Sequence, residues 1–120
     1  MIILHISLIS ENKPKIASAG AIPKLIFLSS SKTIPVKIEA IAALANLAVN
    51  DNNEIEIVNL NGLDPIVAST AQAALGLEDL DSRTDREITL LEELATQCAR
   101  ALRNLSVNGL ISYNHPSFIH

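Results

Sequence analysis

The sequence predicts an all-α fold, an α-solenoid of three-helix repeats, and three observations carry that prediction. Ala43-Leu-Ala-Asn-Leu-Ala-Val-Asn50 returns 58 residues later as Ala101-Leu-Arg-Asn-Leu-Ser-Val-Asn108, with six of eight positions identical. Gly20-Ala-Ile-Pro-Lys-Leu-Ile26 returns 42 residues later as Gly62-Leu-Asp-Pro-Ile-Val67, keeping its Gly and Pro. Around both motifs the apolar residues recur at spacings of three and four, which is one face of an α-helix. Motifs that recur in order at a fixed period mark a repeat architecture, in which each unit buries its apolar face against the next. The two offsets differ by sixteen residues, which places an insertion within Ser69 to Arg86.

Taken in chain order, Ile3-Leu-His-Ile-Ser-Leu8 reads as a degenerate copy of the Asn-Leu segment, displaced by 41, so residues 3–10 end a partial leading repeat. The first repeat covers 11–50. Within it Gly20 separates a short helix from a longer one. Pro35 opens the long helix, where the first turn has no use for its missing N–H. Val36, Ala40, Ala43, Leu44, Leu47 and Ala48 form the buried stripe of that helix. Asn50-Asp-Asn-Asn53 ends it and caps the next, because a short amide side chain accepts the exposed N–H groups of a first turn.

The second repeat covers 51–108 and uses Gly62 as the first uses Gly20. Thr70 to Leu77 prolongs its middle helix, and Glu78 to Arg86, acidic and without an apolar face, reads as a mobile surface loop. Ser82 and Thr84 make that loop a candidate for phosphorylation. The long helix, from about Glu87 to Val107, carries the stripe Leu91, Leu94, Cys98, Ala101, Leu102 and Leu105. Residues 109–120 form an irregular tail that departs from the start of a further repeat.

Composition narrows the function. The chain has 120 residues, 48% apolar and 18% charged, which is too apolar for a disordered segment. Aromatic residues are 2%, so the core must be aliphatic. Nine basic against thirteen acidic residues give a net charge of −4, the wrong sign for a general nucleic-acid binder. One cysteine excludes an internal disulfide framework, and with three scattered histidines it excludes a zinc finger. The first ten residues lack the basic start and small-residue cleavage site of an export signal. No run reaches the length of a membrane span. The expected compartment is the cytoplasm, with the nucleus as the alternative.

No catalytic constellation emerges, and the chain reads as a non-enzyme without cofactor or metal. Cys98 takes the small-residue core position that Ala40 fills in the first unit, so it reads as a buried structural thiol. His5, His115 and His120 have no ligand partners at useful spacing. Glu92 and Glu93 are adjacent on a helix and point apart, which is poor geometry for paired acid–base work. The Asn104-Leu-Ser106 sequon lies inside a helix and reads as coincidence.

Ala19-Gly-Ala-Ile-Pro-Lys-Leu-Ile26, Ala40-x-x-Ala-Leu-Ala-Asn-Leu-Ala48 and Cys98-x-x-Ala-Leu-Arg-Asn-Leu-Ser106 resemble the armadillo repeat family over roughly residues 3 to 108. The resemblance implies a right-handed α-solenoid whose long helices line a concave groove for an extended partner segment. It implies that Asn46 and Asn104 are groove asparagines, whose amides donate to and accept from a peptide backbone; the alternative is that both cap or bridge neighbouring helices. Helical spacing then sets Ile38, Ala42 and Asn46 in one row and Thr96, Arg100 and Asn104 in the next. Arg100 and Arg103 become available to carboxylates on the partner. Family members that import nuclear cargo carry tryptophan four residues before the groove asparagine. Here those positions are Ala42 and Arg100, so the chain resembles the scaffold members more closely.

The function expected is a protein-interaction module binding a protein or peptide partner, with no nucleic-acid or membrane partner. The rival readings are the substrate-recognition part of a larger armadillo ubiquitin ligase, and a truncated piece without a function of its own. Fewer than two complete units and no polar capping repeat favour a partial array, prone to self-association through its end faces.

Overall fold

The computed structural model describes residues 20–106, and among them are five α-helices and no strand. They are α1 (Ala21–Leu28), α2 (Ile34–Leu47), α3 (Asp51–Asn59), α4 (Leu63–Leu77) and α5 (Asp85–Ser106). The leading-repeat reading of 3–10, the tail reading of 109–120 and the three histidines fall outside the described residues. The long helix α5 packs against both α2 and α4, while α1 packs on α2 and α3.

The core is aliphatic, as the composition requires. Ile22, Leu25, Ile41, Leu44, Leu47, Ile57, Leu63, Ile66, Leu94 and Leu105 are fully buried, whereas Phe27 is 79% exposed. Both sequence stripes face inward, with Ala40, Ala43, Cys98 and Ala101 at 0% exposure. Small residues at these positions let helix backbones approach closely, so contact is made by many short side chains packed at near-crystalline density.

Local chemistry sets the helix ends. Pro35 stands in the first turn of α2. Asn50 caps α3, its Oδ1 accepting the backbone N–H of Asn52 at 3.0 Å and of Asn53 at 3.2 Å. Asp51 and Glu54 add negative charge to that first turn, where the helix dipole favours it. Asn50→Ala is expected to lower stability by about 1 kcal/mol. Urea unfolding would measure it, and an unchanged midpoint would show that the cap is dispensable.

Gly20 and Gly62 share a motif position but are required for different reasons. Gly20 has φ 83°, in the left-handed region, and a side chain there would touch nothing. Gly62 has an ordinary helical φ of −66°, and the positive φ has moved to Asn61, at 61°. What Gly62 provides is space: a Cβ would lie 2.7 Å from Ile57 Cγ2 and 2.9 Å from the Ile57 carbonyl oxygen.

Thr70 to Leu77 continues the middle helix as expected, and the loop expected over Glu78–Arg86 is a shorter non-helical connection covering 78–84. Against the first unit, α4 has 15 residues where α1 has 8, so seven residues extend the middle helix at its C-terminal end. Seven more extend α5 at its N-terminal end relative to α2, and the connection gains the remaining two. Asp85 and Arg86 are therefore helical. The connection itself is tied down. Arg83 Nε donates to the Gly76 carbonyl at 2.7 Å, and Arg83 Nη1 lies 3.5 Å from Glu87 Oε2. Ser82 donates to Asp79 Oδ2 at 2.6 Å. Thr84 caps α5 by accepting the Glu87 N–H at 3.1 Å and donating its hydroxyl to Glu87 Oε1 at 3.2 Å. Thr84-x-x-Glu87 is a capping pair that the sequence displays openly.

Candidate functional site

The described residues contain no group of three or more His, Cys, Asp or Glu placed to hold a metal. No described helix is long and apolar enough to cross a membrane. The residues read from the sequence as groove-lining lie on α2 and α5, the two helices of most extensive mutual packing.

Asn46 and Arg100 meet. Arg100 Nη2 donates to Asn46 Oδ1 at 2.5 Å, and its Nη1 donates to Gln97 Oε1 in a short hydrogen bond. Asn104 Nδ2 donates to the Ala45 carbonyl at 2.8 Å. Each asparagine thus uses one half of its amide to tie α2 to α5. The other halves, Asn46 Nδ2 and Asn104 Oδ1, have no partner among the described residues. Asn46, Arg100 and Asn104 are half-buried, and Arg103 is exposed. Of the two rows, Ile38 turns toward the core and packs against it, whereas Thr96 is exposed and donates to the Glu92 carbonyl.

Two clefts open along these residues. One, of about 330 Å³, is lined by Thr96, Ala99, Arg100 and Arg103. The other, of about 200 Å³, is lined by Ala48, Val49, Asp51, Glu54 and Asn104. The arrangement offers amide donors and acceptors for a peptide backbone beside two guanidinium groups in one cleft and the carboxylates of Asp51 and Glu54 in the other. Gln97 was missed by sequence reasoning. Its signal was available, since Gln97 and Arg100 are three apart on one helix and such residues are neighbours.

Cys98 lies outside these clefts, fully buried and unbridged. Burial pushes its thiol above the ordinary range, partly offset by a hydrogen bond with Thr70 and by the charge of Lys37. Lys37 is itself held by Gln72 Oε1 at 2.5 Å. A raised folded pKa means that the unfolded thiol ionises first. The resulting stability is complete below about pH 8.5 and is lost as the pH rises through the folded value. Cys98→Ala is expected to flatten that alkaline decline in urea melts, and a disulfide reagent is expected to label the native thiol only at the rate at which the fold opens.

Comparison with known proteins agrees with the repeat reading. The family model for the armadillo/beta-catenin-like repeat matches residues 10–49. U-box domain-containing protein 1 of Medicago truncatula is 40% identical over 57 residues, which is 48% of this chain and 8% of that protein. The match thus spans less than a tenth of that relative's length. No solved structure matches the chain. The chain thus carries an armadillo/beta-catenin-like repeat at residues 10–49, and the Asn-Leu motif of that repeat recurs on α5.

Proposed function

We propose that the chain is a non-enzymatic protein-interaction module of the scaffold type, a segment of right-handed α-solenoid that binds an extended partner segment along the α2–α5 face. The repeats on this reading are 11–50 and 51–108, and the compartment is the cytoplasm or nucleus. The observation that carries the proposal is the seam of Asn46, Arg100 and Asn104. There two half-used amides and a guanidinium stand beside open clefts, where a passing main chain finds both a donor and an acceptor. Arg103 adds an exposed charge at the same seam.

The test compares crosslinked capture by the native chain with capture by an Asn46→Ala, Arg100→Ala, Asn104→Ala variant of equal helicity and melting temperature. Partners held by the native chain and released by the variant support a groove. Equal retention moves the binding surface to the α4–α5 connection or to the opposite face.

The likeness to a U-box domain-containing protein favours one second reading, in which the chain is the substrate-recognition part of a larger ubiquitin ligase. A longer reading frame that encodes a U-box together with these residues would decide for it.

A further inference from the structure

Charge is divided unevenly along the chain. All five lysines lie between Lys13 and Lys37, whereas residues 51–120 hold eleven of the thirteen acidic residues against four arginines. Each of these regions also exposes an apolar feature. On α1, Pro23, Lys24, Phe27 and Leu28 line an apolar cleft of about 370 Å³, outside the buried row of Ala21, Ile22 and Leu25, and Phe27 is 79% exposed. This cleft shares no residue with the seam of Asn46, Arg100 and Asn104. At the α4–α5 connection, Leu75 and Leu80 are 67% and 48% exposed, and Glu78, Asp79 and Asp81 beside them are exposed too. Leu80 is held in place. Ser82 Oγ donates to Asp79 Oδ2 at 2.6 Å, and the Arg83 N–H donates to the Leu80 carbonyl at 3.1 Å, closing a turn from Leu80 to Arg83. A branched apolar side chain with a carboxylate on either side is thus kept in water, at a cost that burial would remove.

We infer that these two features are the halves of one contact between copies of this chain, in which the α4–α5 tip of one copy enters the α1 cleft of the next. Leu80 fills the cleft against Pro23 and Phe27, and Lys24 at its edge meets Glu78 and Asp81. The match of sign selects this occupant. The tip brings carboxylates to a cleft edged by lysine, whereas two clefts or two tips face to face would set like charges together. The contact joins two different surfaces, so it is heterologous, and it leaves a free cleft at one end of a row and a free tip at the other. Copies therefore add head to tail. Unlike the stacking of apolar end faces, this contact depends on charge, and it uses no residue of the asparagine seam.

The experiment is sedimentation velocity on the full native chain and on two charge-reversed forms, Lys24→Glu and the double variant Glu78→Lys, Asp81→Lys. Asp79 stays in place because it holds Ser82. The substituted side chains are all exposed, so both forms are expected to keep the native circular dichroism spectrum and melt. The native chain is expected to sediment faster as its concentration rises, and to return to monomer at about 0.5 M salt, where charges are screened within a few ångströms. Each reversed form alone is expected to associate about tenfold more weakly, because like charges then face each other across the contact. An equimolar mixture of the two is expected to regain the native association, since every cleft then has a tip of opposite sign. The Asn46→Ala, Arg100→Ala, Asn104→Ala variant is expected to associate as the native chain does, which separates this contact from the groove. Association that persists in high salt and through both reversals would place the contact on apolar end faces and overturn the assignment. A chain that stays monomeric throughout, or a mixture that regains nothing, would overturn it as well.

Discussion

Leu94→Ala is expected to lower the unfolding free energy by about 2–5 kcal/mol. Leu94 is fully buried on α5, the helix that packs against both α2 and α4. Removing its branched end takes away transfer free energy and leaves a void in the core cluster, which refills only as far as its neighbours relax. A small domain has only about 5–15 kcal/mol in total, so the variant sits close to the threshold of folding. Urea unfolding of the two proteins would measure the difference. A loss below about 1 kcal/mol would mean that the site collapses freely, and that the aliphatic core is looser than its burial implies.

Gly62→Ala is expected to cost about 1–3 kcal/mol, although alanine is normally the better helix residue. The dihedral is not the obstacle. The new methyl would stand 2.9 Å from the Ile57 carbonyl oxygen, a main-chain atom that cannot turn aside, and 3.1 Å from Ile26 Cδ1. Relief requires α3 and α4 to separate at their junction. Gly20→Ala provides the contrast: it meets no atoms and is strained only by its positive φ. Melting curves of both variants would separate the two mechanisms. Equal and small losses would show that the α3–α4 junction yields easily.

Much of the helical plan was legible because it depends on chemistry within one helix or one turn. Pro35 at the start of α2, the Asn50 cap and the two buried stripes needed only the periodicity and capping preferences of single segments. Of the added residues, the helical run Thr70–Leu77 was legible, whereas the start of α5 at Asp85 was not. Polar residues at 78–86 resemble a loop whether the chain there is irregular or the exposed end of a helical hairpin. The placement of Asn46 and Asn104 beside each other on α2 and α5 followed from the repeat. The Arg100–Asn46 hydrogen bond did not, because it joins residues 54 apart and depends on how far one helix is shifted along the other. Gly62 shows the same division. Its recurrence was visible, but its reason is a neighbouring carbonyl that no local pattern reveals.

The added length in α4 and α5 has a consequence for how this chain can vary. Seven residues turn a helix through nearly two full revolutions, leaving a drift of about 20°. At the tip of the hairpin the apolar rows of both helices therefore return to nearly the same direction after seven added residues. Three or four added residues would turn the tip by about 60° or 40° at 3.6 residues per turn and leave the packing below it unchanged. Equal steps in both antiparallel helices keep their ends level, and each adds about 10 Å of height at 1.5 Å per residue. Hairpin length is thus a quantity this chain can change in quanta of seven. The connection from Glu78 to Thr84 can rise or fall relative to the asparagine seam while the packing below it stays as it is.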